Sequence, residues 1–287
     1  YLNAFDSVLH YIPSAIFTRF PNLEHLILEE VYVTTIEHGS FVNCSKLKYL
    51  SLARNNLSSI PDGAFESCTE IMEINLSSND LKLIASDAFR GLSNLQTLNL
   101  ENNKLESNQP QLAAIPSLNF LNLASNYFLI LPEDLIANLD LDEVNLELND
   151  LVRIPQNFFK NSINLTKLKI NSNRLNIIQG SPFSTLENLL ILHLHNNTLP
   201  IVMNSLFSNL TSLEELRLDN NKIGNIETNA FDDLDGLKRL NLSHNNFASE
   251  TSNPHMNLKE LEFLEELDLS HNSIHFIKED FEMSAYM

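Results

Sequence analysis

Leu47-Lys-Tyr-Leu50-Ser-Leu52-Ala-Arg-Asn55-Asn-Leu57 and Leu95-Gln-Thr-Leu98-Asn-Leu100-Glu-Asn-Asn103-Lys-Leu105 share one pattern, L-x-x-L-x-L-x-x-N-x-L. The leading apolar residue of this block recurs at Leu23, Leu47, Ile71, Leu95, Leu118, Leu141, Leu165, Leu189, Leu213, Leu237 and Leu264. The steps are 24, 24, 24, 23, 23, 24, 24, 24, 24 and 27 residues, which identifies a repeat architecture. A second ladder, mostly phenylalanine, runs through Phe17, Phe41, Phe65, Phe89, Leu112, Leu135, Phe159, Phe183, Phe207, Phe231, Leu258 and Phe281. Five residues before most of these stands an isoleucine or valine, as at Ile12, Ile60, Ile154 and Val202.

Alternation in L-x-L puts both leucines on one side of a short strand and the residue between them on the other. One coil cannot bury its leucines alone, so neighbouring coils stack about 4.8 Å apart into a parallel sheet over a continuous core. The residue closing each block is Asn55, Asn79, Asn103, Asn126, Asn149, Asn173, Asn197, Asn221, Asn245 or Asn272. An amide offers donors and an acceptor, so at a buried bend it can satisfy backbone groups that the turn leaves open. The first block has Val31 there, and its turn is expected to differ.

The pattern resembles the leucine-rich-repeat family, in particular the roughly 24-residue type of extracellular animal proteins, and the resemblance covers nearly the whole chain. It is most similar to ectodomains of Toll-type receptors and to secreted insect immune or adhesion proteins. It implies an α/β solenoid: a right-handed horseshoe with a parallel concave β-sheet and an irregular or short-helical convex side. One solenoid over residues 1–287 is expected, with a partial first coil (1–22) and eleven strand-bearing repeats starting at 23, 47, 71, 95, 118, 141, 165, 189, 213, 237 and 264. The family's paired-cysteine caps are absent, so caps are expected outside this fragment. The 27-residue step, with Ser249-Glu-Thr-Ser-Asn-Pro254, is the expected irregular loop.

Composition narrows the function. The 287 residues carry 18 basic and 37 acidic side chains, a net charge of −19, with 43% apolar residues. Such an acid excess disfavours a nucleic-acid partner. Only six glycines occur, and no phosphate-binding glycine motif can be read. No apolar run reaches the roughly 18 residues of a membrane span. Neighbouring histidines, His193 with His195 and His244 with His271, raise metal binding or acid sensing. No third ligand and no nucleophile motif completes a site, so neither metal, cofactor nor catalysis is expected.

Cys44 and Cys68 occupy one repeat position in consecutive coils. Two readings stand: small buried thiols or a disulfide, with free thiols the expectation. Acceptor triplets for N-glycosylation occur at Asn43, Asn56, Asn75, Asn164, Asn196, Asn209 and Asn241. With 39 Asn and 39 Ser plus Thr, chance alone supplies about five, so these triplets do not decide the compartment. Asn75 and Asn241 fall on the sheet face, leaving Asn43, Asn209, Asn164, Asn56 and Asn196 as candidates, with Asn43 and Asn209 the better placed. The extracellular assignment, secreted or membrane-anchored, rests on the repeat subtype.

The residue between the strand leucines is the usual recognition surface of such arrays. In order it reads Ile27, Ser51, Asn75, Asn99, Asn122, Asn145, Lys169, His193, Arg217, Asn241 and Asp268. Lys169, His193 and Arg217 gather positive charge in an acidic chain, though they could merely balance neighbouring acids such as Glu215 across the sheet. Phe120, Leu148 and Ile191, with the more isolated Tyr49, are apolar residues at exposed strand positions where polar ones are expected; such anchors often carry binding energy, and packing on a flanking segment is the other reading. The expected function is non-catalytic recognition of a protein ligand or co-receptor on the concave face, in innate immunity or cell–cell recognition, with homo- or hetero-oligomers open. The alternative is a self-associating adhesive or structural protein.

Overall fold

A computed structural model describes residues 1–37, 39–109, 112, 115–136, 139–247, 258 and 260–274. The expected loop at Ser249–Pro254 and the ladder residue Phe281 lie outside them. The chain divides into two compact units, Tyr1–Val144 and Asn145–Met287. Both are built from coils that each contribute a short parallel strand, of three residues except for Leu2–Asn3, with almost no helix.

In the first unit the strands Leu2–Asn3, His25–Ile27, Tyr49–Ser51, Glu73–Asn75, Thr97–Asn99 and Phe120–Asn122 pair in chain order. In the second, Lys167–Lys169, Ile191–His193, Glu215–Arg217, Arg239–Asn241 and Glu266–Asp268 do the same. Register follows the repeat: Leu26 pairs with Leu50, and Leu192 with Leu216. Each of these leucines is fully buried. The strands are short because only the L-x-L segment can lie flat before the turn begins. Among the described residues the only helix is Ile16–Arg19. Elsewhere the far side of the coils is made of turns and two short ladders, Ser59–Ile60 with Leu83–Ile84 and Ile201–Val202 with Asn225–Ile226.

Two interior ladders explain why coils add regularly. Rings of Phe17, Phe41, Phe65 and Phe89 follow one another at 5.9, 5.1 and 6.0 Å between centroids in the first unit. Phe159 with Phe183 and Phe207 with Phe231, each pair at 6.2 Å, do so in the second. These spacings suit offset or tilted aromatic contact. The closing asparagines, buried except for the half-buried Asn272, bridge coils. Asn103 Nδ2 donates to the carbonyls of Leu76 and Leu100, both at 3.0 Å, while its Oδ1 accepts the Leu81 amide at 3.0 Å. Asn221 repeats this with Leu194, Leu218 and Leu199.

The residue before each closing asparagine is left-handed. Arg54, Ser78, Asn102 and Ser125 in the first unit, and Leu148, Ser172, Asn196, Asn220, His244 and His271 in the second, have φ of 53–56°. At the Val31 coil Glu30 keeps this conformation (φ 56°), but its amide reaches Ala53 at 3.4 Å, against 2.9 Å for Arg54 to Ser77.

The expectation of free thiols is corrected: Cys44 and Cys68 form a disulfide, with Cα atoms 4.7 Å apart. Identical positions in stacked coils fall inside the roughly 4.4–6.8 Å window that a disulfide needs. Residue type alone suggested two buried hydrophobes, and coil spacing decides otherwise.

Candidate functional site

Lys169, His193 and Arg217 lie in register on three consecutive strands of the second unit, followed by Asn241 and Asp268. All three are half-buried. Their charges are not equivalent. Arg217 makes a two-pronged bond to Asp219, Nε to Oδ1 and Nη2 to Oδ2, both at 3.0 Å. His193 Nε2 lies 2.7 Å from Glu215 Oε1, and Arg239 Nη2 donates to the same carboxylate at 2.9 Å. Cross-strand balancing by Glu215 therefore accounts for His193, and a carboxylate two residues on in its own coil accounts for Arg217. Lys169 has no carboxylate or other hydrogen-bond partner among the described residues.

Burial opposes ionisation of Glu215, yet the hydrogen bonds from His193 and Arg239 hold its carboxyl below the usual range. For Asp219 burial likewise acts upward and is outweighed by Arg217 and Asn220, so this buried carboxylate stays charged. His195 is pushed down to about 4, first by burial and then by the Arg217 charge. It is a neutral imidazole at physiological pH. Beside these groups a groove of about 590 Å³ runs over the last three strands, walled by Glu215, Arg217, Arg239, Asn241, Glu266 and Asp268.

The asparagines of the strand-face row have a structural task that their residue type did not disclose. Each Oδ1 accepts the backbone N–H two residues on: Asn75 from Ser77, Asn99 from Glu101 and Asn122 from Ala124, each at 3.0 Å. In the second unit Asn145 does so for Glu147 at 3.1 Å and Asn241 for Ser243 at 2.9 Å. Asp268 does the same for Ser270 at 2.9 Å. This is the Asx-turn habit of asparagine and aspartate, the one sequence signal that could have found it.

The apolar candidates separate. Ile191 is a half-buried strand residue beside Glu215 in register. Phe120 and Tyr49 are half-buried strand residues of the first unit, and Tyr49 continues a ring row through His25 to Tyr1 at 5.9 and 6.0 Å. Leu148 is not on a strand: the strand ends at Asn145, and Leu148 occupies the left-handed turn position, 55% exposed. The histidine pairs are close, His193–His195 at 5.5 Å and the stacked His244–His271 at 4.0 Å between centroids. No group of three or more His, Cys, Asp or Glu among the described residues is placed to hold a metal.

All five glycosylation candidates are exposed, but their amides differ. Asn209 Nδ2 donates to the Ser184 carbonyl at 3.1 Å, and Asn196 Nδ2 faces Ser172 Oγ at 3.5 Å. Asn56 bonds Asp80, and Asn164 is also engaged. The Asn43 side chain has no such partner among the described residues.

Three repeat models match nearly the whole length. A BspA type leucine rich repeat region, in six copies, matches residues 10–141. A leucine rich repeat model matches 163–223 and 187–247, and another matches 236–261 and 263–283. The chain is a leucine-rich-repeat protein. Among solved structures it is similar to the leucine-rich repeat domain of APL1B, at 28% identity over 97% of this chain and 77% of that one, with a TM-score of 0.78. It is similar to a chain of the Toll–Spatzle complex of Drosophila, at 26% identity and a TM-score of 0.76. That match covers 95% of this leucine-rich-repeat protein and 42% of its counterpart, so the chain spans about two fifths of the length of that chain. The TLR13–ssRNA13 complex matches at 24% identity over 93% and 42% of the two chains, TM-score 0.77, a likeness of fold alone. The search of curated proteins found no match. No helix among the described residues is long and apolar enough to cross a membrane.

Proposed function

We propose that this leucine-rich-repeat protein is a non-catalytic extracellular recognition module, and that the strand face around Lys169, His193, Arg217 and Ile191 receives a protein partner. The observation that carries this reading is the break in the row. Asparagines whose carbonyl oxygens hold their own turns give way, in three consecutive coils, to Lys169, His193 and Arg217. Turn capping explains the asparagines and cannot explain Lys or Arg, which have no acceptor to offer. A half-buried cation beside an apolar residue suits a partner selected by charge and anchored by contact.

Support for the setting comes from similar folds in recognition complexes. Toll was solved with Spatzle as a hub in development and innate immunity, and a similar chain belongs to the complex of Latrophilin 3, Unc5D and FLRT2. A role in immune or cell–cell recognition follows as our reading. The test is a screen of the purified chain against a panel of extracellular protein domains. Binding to a found ligand should fall at least about tenfold in the Lys169→Glu, Arg217→Glu double variant, the scale of losing a charge-assisted contact. It should hold in Lys160→Glu, an exposed control outside the strand face. Ligands that bind the double variant as well as the unmodified chain would remove this face from the site.

A further inference from the structure

The coils with Lys169, His193 and Arg217 differ from their neighbours in the main chain as well as in charge. Six other coils cap the amide two residues past the strand-face position with an Asn or Asp oxygen, at 2.9–3.1 Å. In these three coils the corresponding amides belong to Asn171, His195 and Asp219. Lys169 and Arg217 are donors only, and the His193 Nε2 is turned to Glu215. Among the described residues none of the three amides has an acceptor. The strand register places them in consecutive coils, a row of N–H groups spanning about 10 Å at the ordinary strand spacing.

The same strip holds further unanswered groups. Asn171, which is 6% exposed, has an Oδ1 without a hydrogen-bond partner; as an acceptor it offers an anion nothing, and its Nδ2 is committed to Glu147 Oε2 at 3.1 Å, so anion binding in this strip falls to the main-chain amides and Lys169. His195 Nδ1 in the next coil is also unpartnered. Lys169 supplies the unpaired cation. Main-chain N–H groups without acceptors in consecutive coils, next to a cation, are groups that can receive oxyanions.

We propose that this strip is a carboxylate-receiving site: the amides of Asn171, His195 and Asp219, with the Lys169 ammonium, take the side-chain carboxylates of an acidic polypeptide segment. The proposal rests on the recognition reading above and names the chemistry of its ligand. One carboxylate, about 2 Å across its oxygens, fills a single coil, whereas three open coils in a row, about 10 Å from first to last, have room for more than one acidic side chain of the same segment.

The probe is fluorescein-labelled hexaglutamate, titrated by anisotropy and by 15N–1H NMR, with hexaglutamine as the neutral control. Saturable hexaglutamate binding is expected, about tenfold or more tighter than hexaglutamine, with shifts at the amides of residues 171, 195 and 219. Lys169→Asn installs the cap found in neighbouring coils. It should weaken hexaglutamate about tenfold while melting at the same or a higher temperature, a combination that general damage to the fold does not produce. Lys169→Met removes the charge and leaves the amide open, so it should bind between the two. The proposal is overturned by absent binding, by equal binding of hexaglutamine, by amides that do not shift, or by undiminished binding in Lys169→Asn. A ligand from the domain screen that still discriminates against the Lys169→Glu, Arg217→Glu variant would then show a recognition face with a different ligand chemistry.

Discussion

His195 joins a buried-side position to a titratable ring, and the sign of its effect follows. Its folded-state pKa is about 4 against an ordinary 6.5, so on acidification the unfolded chain takes up the proton first. Its contribution to stability is complete above pH 6.5 and is lost as pH falls towards 4. Asp219 and Glu215 have depressed folded values, so their contributions vanish in the same direction at lower pH. The drop in melting temperature between pH 7 and pH 5 should therefore be smaller in His195→Asn than in the unmodified chain. Equal drops would show that His195 is not the group responsible. Leu148 gives a second expectation at this scale. A branched side chain at φ 54° costs about 1–2 kcal/mol relative to glycine and somewhat less relative to asparagine. Neighbouring coils place Ser172, Asn196 and Asn220 there, so Leu148→Asn should raise the denaturation midpoint. An unchanged or lower midpoint would mean that Leu148 has packing worth more than its strain.

Within a coil, the bend asparagine is the element on which stacking turns. Asn221 answers two carbonyls and one amide from a position that water does not reach, so Asn221→Ala leaves three backbone groups open and should cost about 3 kcal/mol in urea unfolding. Asn246→Ala, at an exposed position with one 3.5 Å contact, should cost little. The bridge between Cys44 and Cys68 closes a 24-residue interval, and the Cys44→Ala, Cys68→Ala double variant should lose about 3 kcal/mol by loop-closure entropy. Elements also mark how far residue patterns can be read. Buried leucines and bend asparagines are legible because a fixed period forces each into one environment. The cysteine pair is legible as a position but not as a bond, since pairing depends on coil spacing in space. Leu148 is misplaced by extending strand alternation past Asn145, where the chain has already turned. The carbonyl work of Asn75 or Asn241 is hidden because a polar row between strand leucines reads equally as a binding surface.

Across the whole molecule, a net charge of −19 sets the response to salt. Like charges repel in the folded chain more than in the expanded one, and the inter-coil ion pairs such as Lys46–Glu70 are too exposed to offset this. Melting temperature should rise between 20 and about 300 mM NaCl as the repulsion is screened, and a fall would assign real weight to those pairs. Sedimentation across a hundredfold dilution separates a recognition module from an adhesive protein, because self-association would shift the boundary with concentration. The Cys44–Cys68 bridge also has a mechanical consequence. When the termini are pulled apart, the segment between the two sulfurs is shielded from tension and adds nothing to the extension. Adding a reductant during stretching should release about 80 Å of extra contour, at some 3.4 Å for each of the 24 residues held back.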